Sequence, residues 1–111
     1  MPSLGTITLA GKSGKPYKFR VYPKETSFKK GLAAVFVLTQ RRKRESTGRM
    51  RHKPVFVGES NDLRLPDAKA ATAMKETAAN CICIHAEPCI EMRENIRQDL
   101  SRARRPSGDR Q

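Results

Sequence analysis

The sequence predicts an α/β chain of the α+β kind, in which short strands and two helices share one domain. Three observations predict it. Two alternating apolar segments flank a turn-rich stretch near the N-terminus. Two short, continuous apolar runs bracket a strongly basic segment. Two segments of helical composition then stand on either side of one further β-branched strand.

The elements follow in chain order. Gly5 to Ala10 alternates, Gly11 to Lys15 is turn material, and Tyr17 to Tyr22 alternates again before Pro23. Together they predict an N-terminal β-hairpin. The tract Gly11–Gly14 is too short for a phosphate-binding loop and serves the turn. Leu32–Leu38 is a continuous apolar run and predicts a buried central strand. Pro54–Gly58 predicts a second buried strand, pairing with the first across a basic loop. Glu59–Asp62 is expected to turn. Asp67 to Asn80 has no internal Gly or Pro and predicts a helix, capped by Asp67 and closed by Asn80. Cys81–His85 predicts a strand with Ile on one face and Cys and His on the other. Pro88 suits the first turn of a last helix. Its apolar stripe would be Cys89, Met92, Ile96, Leu100 and Ala103. The tail from Arg104 to Gln111 is expected to fray.

A length of 111 residues fits a single domain, 1–111, with a modest core. No apolar run approaches membrane-spanning length, and Met1–Gly5 lacks the apolar core of a secretory signal. Three Cys without an export signal suit reduced thiols and a cytoplasmic location.

Charge gives the first functional pointer. The net charge is +12, and its distribution is uneven. Residues 1–58 carry fourteen basic and two acidic side chains; residues 59–111 carry nine of each. The densest part holds Arg41, Arg42, Lys43, Arg44, Arg51 and Lys53, with Arg49 among them and Glu45 as the only acid. Such a patch attracts a polyanion, with nucleic acid (DNA or RNA) the first candidate. An acidic protein surface is the second. A membrane surface is not expected, because no amphipathic helix accompanies the basic run.

Other constellations are weaker. Cys81, Cys83, His85 and Cys89 could be drawn as a zinc set, but Cys-x-Cys is not the usual knuckle spacing. Core thiols are the better reading, and neither a metal nor a cofactor is expected. His52 would add polarity or a weak phosphate contact, and His85 would end a strand. Met74 and Met92 read as helix packing residues. Tyr17 or Tyr22, if exposed, could stack on bases.

In this order, the chain resembles the GIY-YIG nuclease superfamily, and more closely a small bacterial GIY-YIG-like group with an N-terminal hairpin. Ala34-Val35-Phe36 stands at the first signature and Phe56-Val57-Gly58 at the second, continued by Glu59-Ser60-Asn61-Asp62-Leu63. Ala79-Asn80-Cys81-Ile82-Cys83-Ile84-His85 is similar to the group's third strand, and Asp99-Leu100 with Pro106 fits its last helix. The resemblance implies a small central antiparallel sheet flanked by helices. It also implies metal-dependent phosphodiester hydrolysis, using two Tyr hydroxyls, an Arg, an assisting His or Tyr, a metal-binding Glu and a supporting Asn.

At each of those positions this chain differs. The two Tyr positions fall on Phe36 and Phe56, which have no hydroxyl proton. The Arg position falls on Pro66, the assisting position on Ala70, the Glu position on Arg97 and the Asn position on Asp109. Loss of proton handling, phosphate stabilisation and the metal ligand together would remove the mechanism. The leading expectation is therefore a catalytically inactive domain that binds nucleic acid electrostatically. A protein-interaction module, inhibitor or adapter, is the alternative. A residual endonuclease would need Arg64, Glu91 or Glu94, with Tyr17 or Tyr22, to enter the site.

Overall fold

A computed structural model describes residues 3–43, 46, 48–64 and 68–104. The strands are β1 (Thr6–Ala10), β2 (Pro16–Pro23), β3 (Ala34–Lys43), β4 (Met50–Ser60) and β5 (Cys81–Ala86), and the helices are α1 (Ala68–Glu76) and α2 (Ile90–Arg104). The fold class is α+β: one curled, five-stranded antiparallel sheet with two helices. The strand order is β1-β2-β5-β3-β4, so the last strand made lies in the middle. The N-terminal hairpin is present, with Thr6 opposite Arg20 and Ala10 opposite Pro16.

β3 explains its own sequence. It pairs with β4 on one side and β5 on the other, and its first six residues, Ala34–Thr39, are all buried. A strand enclosed on both faces needs continuous apolar residues rather than alternation. Val35 and Val37 face a core with Phe19, Val21, Cys81, Cys83 and, from α2, Ile96 and Leu100. Phe36, Leu38 and Ile84 face the other core, against Phe56, Ala70, Ala73 and Met74. Each such fully buried side chain contributes roughly 1.5–3 kcal/mol relative to exposure. Gly58 permits the close packing here: a Cβ on it would lie 2.6 Å from Phe36 Cζ and 3.0 Å from Phe56 Cε2.

Several expectations are corrected. The basic segment is not simply a loop: β3 continues through Arg41–Lys43, and β4 begins at Met50. Glu59 and Ser60 belong to β4 rather than to a turn. α1 stops at Glu76, four residues before Asn80, because Ala78 adopts a left-handed conformation (φ 57°). That conformation ends helices, usually at glycine. Asn80 then runs extended into β5. The stripe of α2 is also shifted. Ile96 and Leu100 are buried, whereas Met92 is 46% exposed and Cys89 and Ala103 are exposed.

Arg93 occupies the buried place instead, at 2% exposure. Its Nε donates to Glu59 Oε1 at 2.7 Å, and one Nη donates to the carbonyls of Glu87 and Pro88 at 3.0 and 2.8 Å. A buried guanidinium is tolerable only when its protons are engaged in this way. The far end of α2 is fixed too. Asp99 accepts from the backbone N–H and hydroxyl of Ser13, at 2.9 and 2.6 Å, and from the Tyr17 hydroxyl at 2.8 Å. Asp67 and the tail beyond Arg104 lie outside the described residues. Among the described residues, no helix is long and apolar enough to cross a membrane.

Candidate nucleic-acid interface

β5 pairs with β3 only from Ala34 to Thr39. From Gln40 onward, β3 and β4 continue alone as a two-stranded ribbon, with Gln40–Lys43 opposite Lys53–Met50. The register shifts between Leu38 and Thr39: Leu38 faces Phe56, Thr39 faces Pro54, and Val55 is the extra residue. Such a bulge bends and twists a strand pair, here where the ribbon leaves the sheet. Pro54 fits that place because it has no N–H for a ladder to lose.

The connector between α1 and β5 anchors the foot of the ribbon. Asn80, immediately before β5, takes over where the pairing of β5 with β3 stops at Thr39 and Cys81. Its N–H donates to the Thr39 carbonyl at 3.0 Å. Its side chain accepts from Arg41 N–H at 2.8 Å and donates to the Arg41 carbonyl at 3.1 Å. The Gln40 carboxamide donates to the Thr77 carbonyl. Sequence reasoning assigned neither Gln40 nor Asn80 a role at the site. The only signal was that each is polar at the border of an apolar segment.

Register sorts the ribbon's side chains. Gln40 lies opposite Lys53 and Arg42 opposite Arg51, so Arg42, Arg51 and Lys53 share one face. They line a shallow hollow with Gln40, His52 and Pro54. Arg41 and Lys43 lie on the other face, with His52 and Met50. Arg42, Lys43, Arg51 and Lys53 are exposed, Arg41 is half-buried, and no carboxylate stands among the described residues of the ribbon. Like charges directly across a strand pair, as at Arg42 and Arg51, destabilise it. An anion between them would relieve that repulsion. Arg44 lies outside the described residues.

His52 is not a free cation of this patch. Its Nδ1 is 2.9 Å from Thr39 Oγ1. Burial, and secondarily the Arg41 charge, pull its pKa below the ordinary histidine value. Cys83 lies deeper on the same face, 3.8 Å from Thr39 Oγ1, and burial pushes its thiol up to about 12. It is an inert core thiol at neutral pH. Cys81 is buried and raised as well, chiefly by burial.

Of the positions taken from the nuclease resemblance, Phe36, Phe56 and Ala70 come together and Arg97 lies apart from them. The rings of Phe36 and Phe56 stack at 6.0 Å, and Ala70 packs on the same core. Beside them is an apolar hollow of about 240 Å³, lined in part by Phe28, Leu38, Leu63, Met74 and Ile82. Arg97 is on α2, which packs on the opposite face of the sheet, and it pairs with Glu94 at 2.8 Å. Pro66 and Asp109 lie outside the described residues. Of the substitute residues, Tyr22 packs on the same core as Phe36 and Phe56, and Arg64, Glu91, Glu94 and Tyr17 do not join it. Arg64 is exposed, with its N–H bonded to Asp62. Glu91 and Glu94 are on α2 with Arg97. The Tyr17 hydroxyl is committed to Asp99, and the Tyr22 ring meets Phe28 edge-on at 5.5 Å. Cys89 is exposed while Cys81 and Cys83 are buried; among the described residues no three metal-ligating side chains gather. No family model, curated protein or solved structure matches the chain.

Proposed function

We propose that this chain is a catalytically inactive, GIY-YIG-like domain of the cytoplasm that binds nucleic acid electrostatically. One observation supports this above the others: a two-stranded ribbon stands beyond the sheet with Arg41, Arg42, Lys43, Arg51 and Lys53 on it and no acid among its described residues. Phosphates would be captured by these cations, with little reading of base edges. The reading of inactivity rests on the sequence, which holds Phe36, Phe56, Pro66, Ala70 and Arg97 where the resemblance implies tyrosines, an arginine, an assisting histidine or tyrosine and a metal-binding glutamate.

Salt titration tests the binding. If Arg44 joins these five and about six phosphates are neutralised, log K against log[salt] falls with a slope of about −5 on duplex DNA. A flat response refutes electrostatic capture. Incubation with plasmid and Mg²⁺ or Mn²⁺ should leave the plasmid intact; cleavage abolished by a Glu91 or Glu94 substitution would refute inactivity.

A further inference from the structure

The geometry points to a ribbon that enters the major groove of a B-form DNA duplex, rather than one that lies on a flat polyanionic surface. This rests on the nucleic-acid reading above and specifies its ligand.

The first reason is the placement of charge. A protein that lies on a surface of phosphates needs cations on one face. This ribbon carries Arg42, Arg51 and Lys53 on one face and Arg41 and Lys43 on the other. The half-buried Arg41 lies toward Cys81 and His52, whose titration it perturbs. A groove has a phosphate strand on each side, and it satisfies both faces together.

Clearance is the second reason. α2 is tied to the far end of the sheet, through Arg93 to Glu59 and Asp99 to Ser13. The connector after α1 meets the ribbon at its foot, where Gln40 donates to the Thr77 carbonyl. The apolar clusters that seat the two helices contain no residue of β3 beyond Leu38 and none of β4 before Val55, so walls can rise on both sides of the ribbon.

Dimension is the third. A β-layer with its side chains is about 10 Å thick. The B-form major groove, about 12 Å wide, admits a two-stranded ribbon, whereas the minor groove, about 6 Å wide, does not. The major groove of A-form RNA is deep and too narrow. Single strands are held largely by stacking on aromatic rings. Among the described ribbon residues the only aromatic ring is His52, and it is engaged with Thr39.

The test uses the whole chain and four probes of equal length: a DNA duplex, the same duplex methylated at guanine N7, an RNA duplex and a DNA single strand. Fluorescence anisotropy is read at one salt concentration. The unmodified DNA duplex should bind about ten-fold more tightly than the RNA duplex or the single strand, the ratio that about 1.4 kcal/mol gives. N7 methylation, which projects a methyl group and a positive charge into the major groove, should weaken binding, and saturation with a minor-groove drug should not. Arg41→Ala and Arg42→Ala, on opposite faces, should each reduce the salt slope by about 0.9. Thermal melts establish that both variants fold. Equal binding to all four probes, or a slope changed by Arg42→Ala alone, overturns groove entry and leaves electrostatic binding standing. Absence of binding to any probe overturns both.

Discussion

Replacing Asn80 by Ala tests whether the ribbon depends on its clamp. The substitution removes the hydrogen bonds of 2.8 and 3.1 Å between the Asn80 side chain and the backbone of Arg41. It leaves the Asn80 N–H on the Thr39 carbonyl. The side chain is exposed, so water partly replaces what is lost, and each bond belongs near the low end of the usual range. About 1 kcal/mol for the pair follows, which is roughly a five-fold change in the equilibrium for opening the ribbon's foot. Native-state hydrogen exchange should show the Arg41 amide exchanging about five-fold faster. Amides in the middle of β3, at Val35 and Val37, should keep their protection. Affinity for duplex DNA should fall by up to the same factor, because only the ordered ribbon presents its cations in register. Unchanged exchange at Arg41 would refute the clamp. Faster exchange with unchanged affinity would refute the link between ribbon order and binding.

Two further outcomes follow from the packing. Gly58→Ala would drive a Cβ into the Phe36 ring, which is 3% exposed and cannot swing away. It should destabilise the fold by about 1–3 kcal/mol, as overpacking usually does, and urea unfolding measures it directly; a loss under about 0.5 kcal/mol would show that the two rings yield. Asp99 is held below the ordinary carboxylate range, first by the Ser13 hydroxyl, then by the Ser13 amide and the Tyr17 hydroxyl. A depressed folded-state pKa means that its stabilisation is complete above the unfolded value of about 3.9 and is lost as pH falls through the folded value. Melting temperature should therefore drop more steeply with acidification in the native chain than in Asp99→Asn, and parallel curves would refute the role.

The sequence was legible where local chemistry decides structure. The hairpin followed from alternation on either side of Gly11–Lys15, and β3 from a run too apolar to face water. Cys81 and Cys83 on one face of β5, with Ile82 and Ile84 on the other, followed from a period of two. What remained hidden depends on partners far along the chain. Arg93 has the appearance of a solvent residue until Glu59, thirty-four positions earlier, is placed beside it. That displacement put Met92 on the wrong side of α2. The basic segment resembled a loop because charge density suggests solvation, yet long Lys and Arg stems are compatible with a strand whose faces are open. Asn80 resembled a helix end, since nothing nearby shows that Ala78 turns left-handed or that β3 needs a partner after β5 stops. The proposed site follows the same division: its cations could be counted from the sequence, but their sorting onto two faces needed the register.

The placement of β5 between β2 and β3 has a consequence for how the molecule is made. During synthesis, the chain up to Asn80 can form only two disconnected pairs, β1 with β2 and β3 with β4, each with a bare inner edge. Only β5, Cys81–Ala86, joins them, like a zip closing from the middle, and until it emerges both edges remain open to strangers.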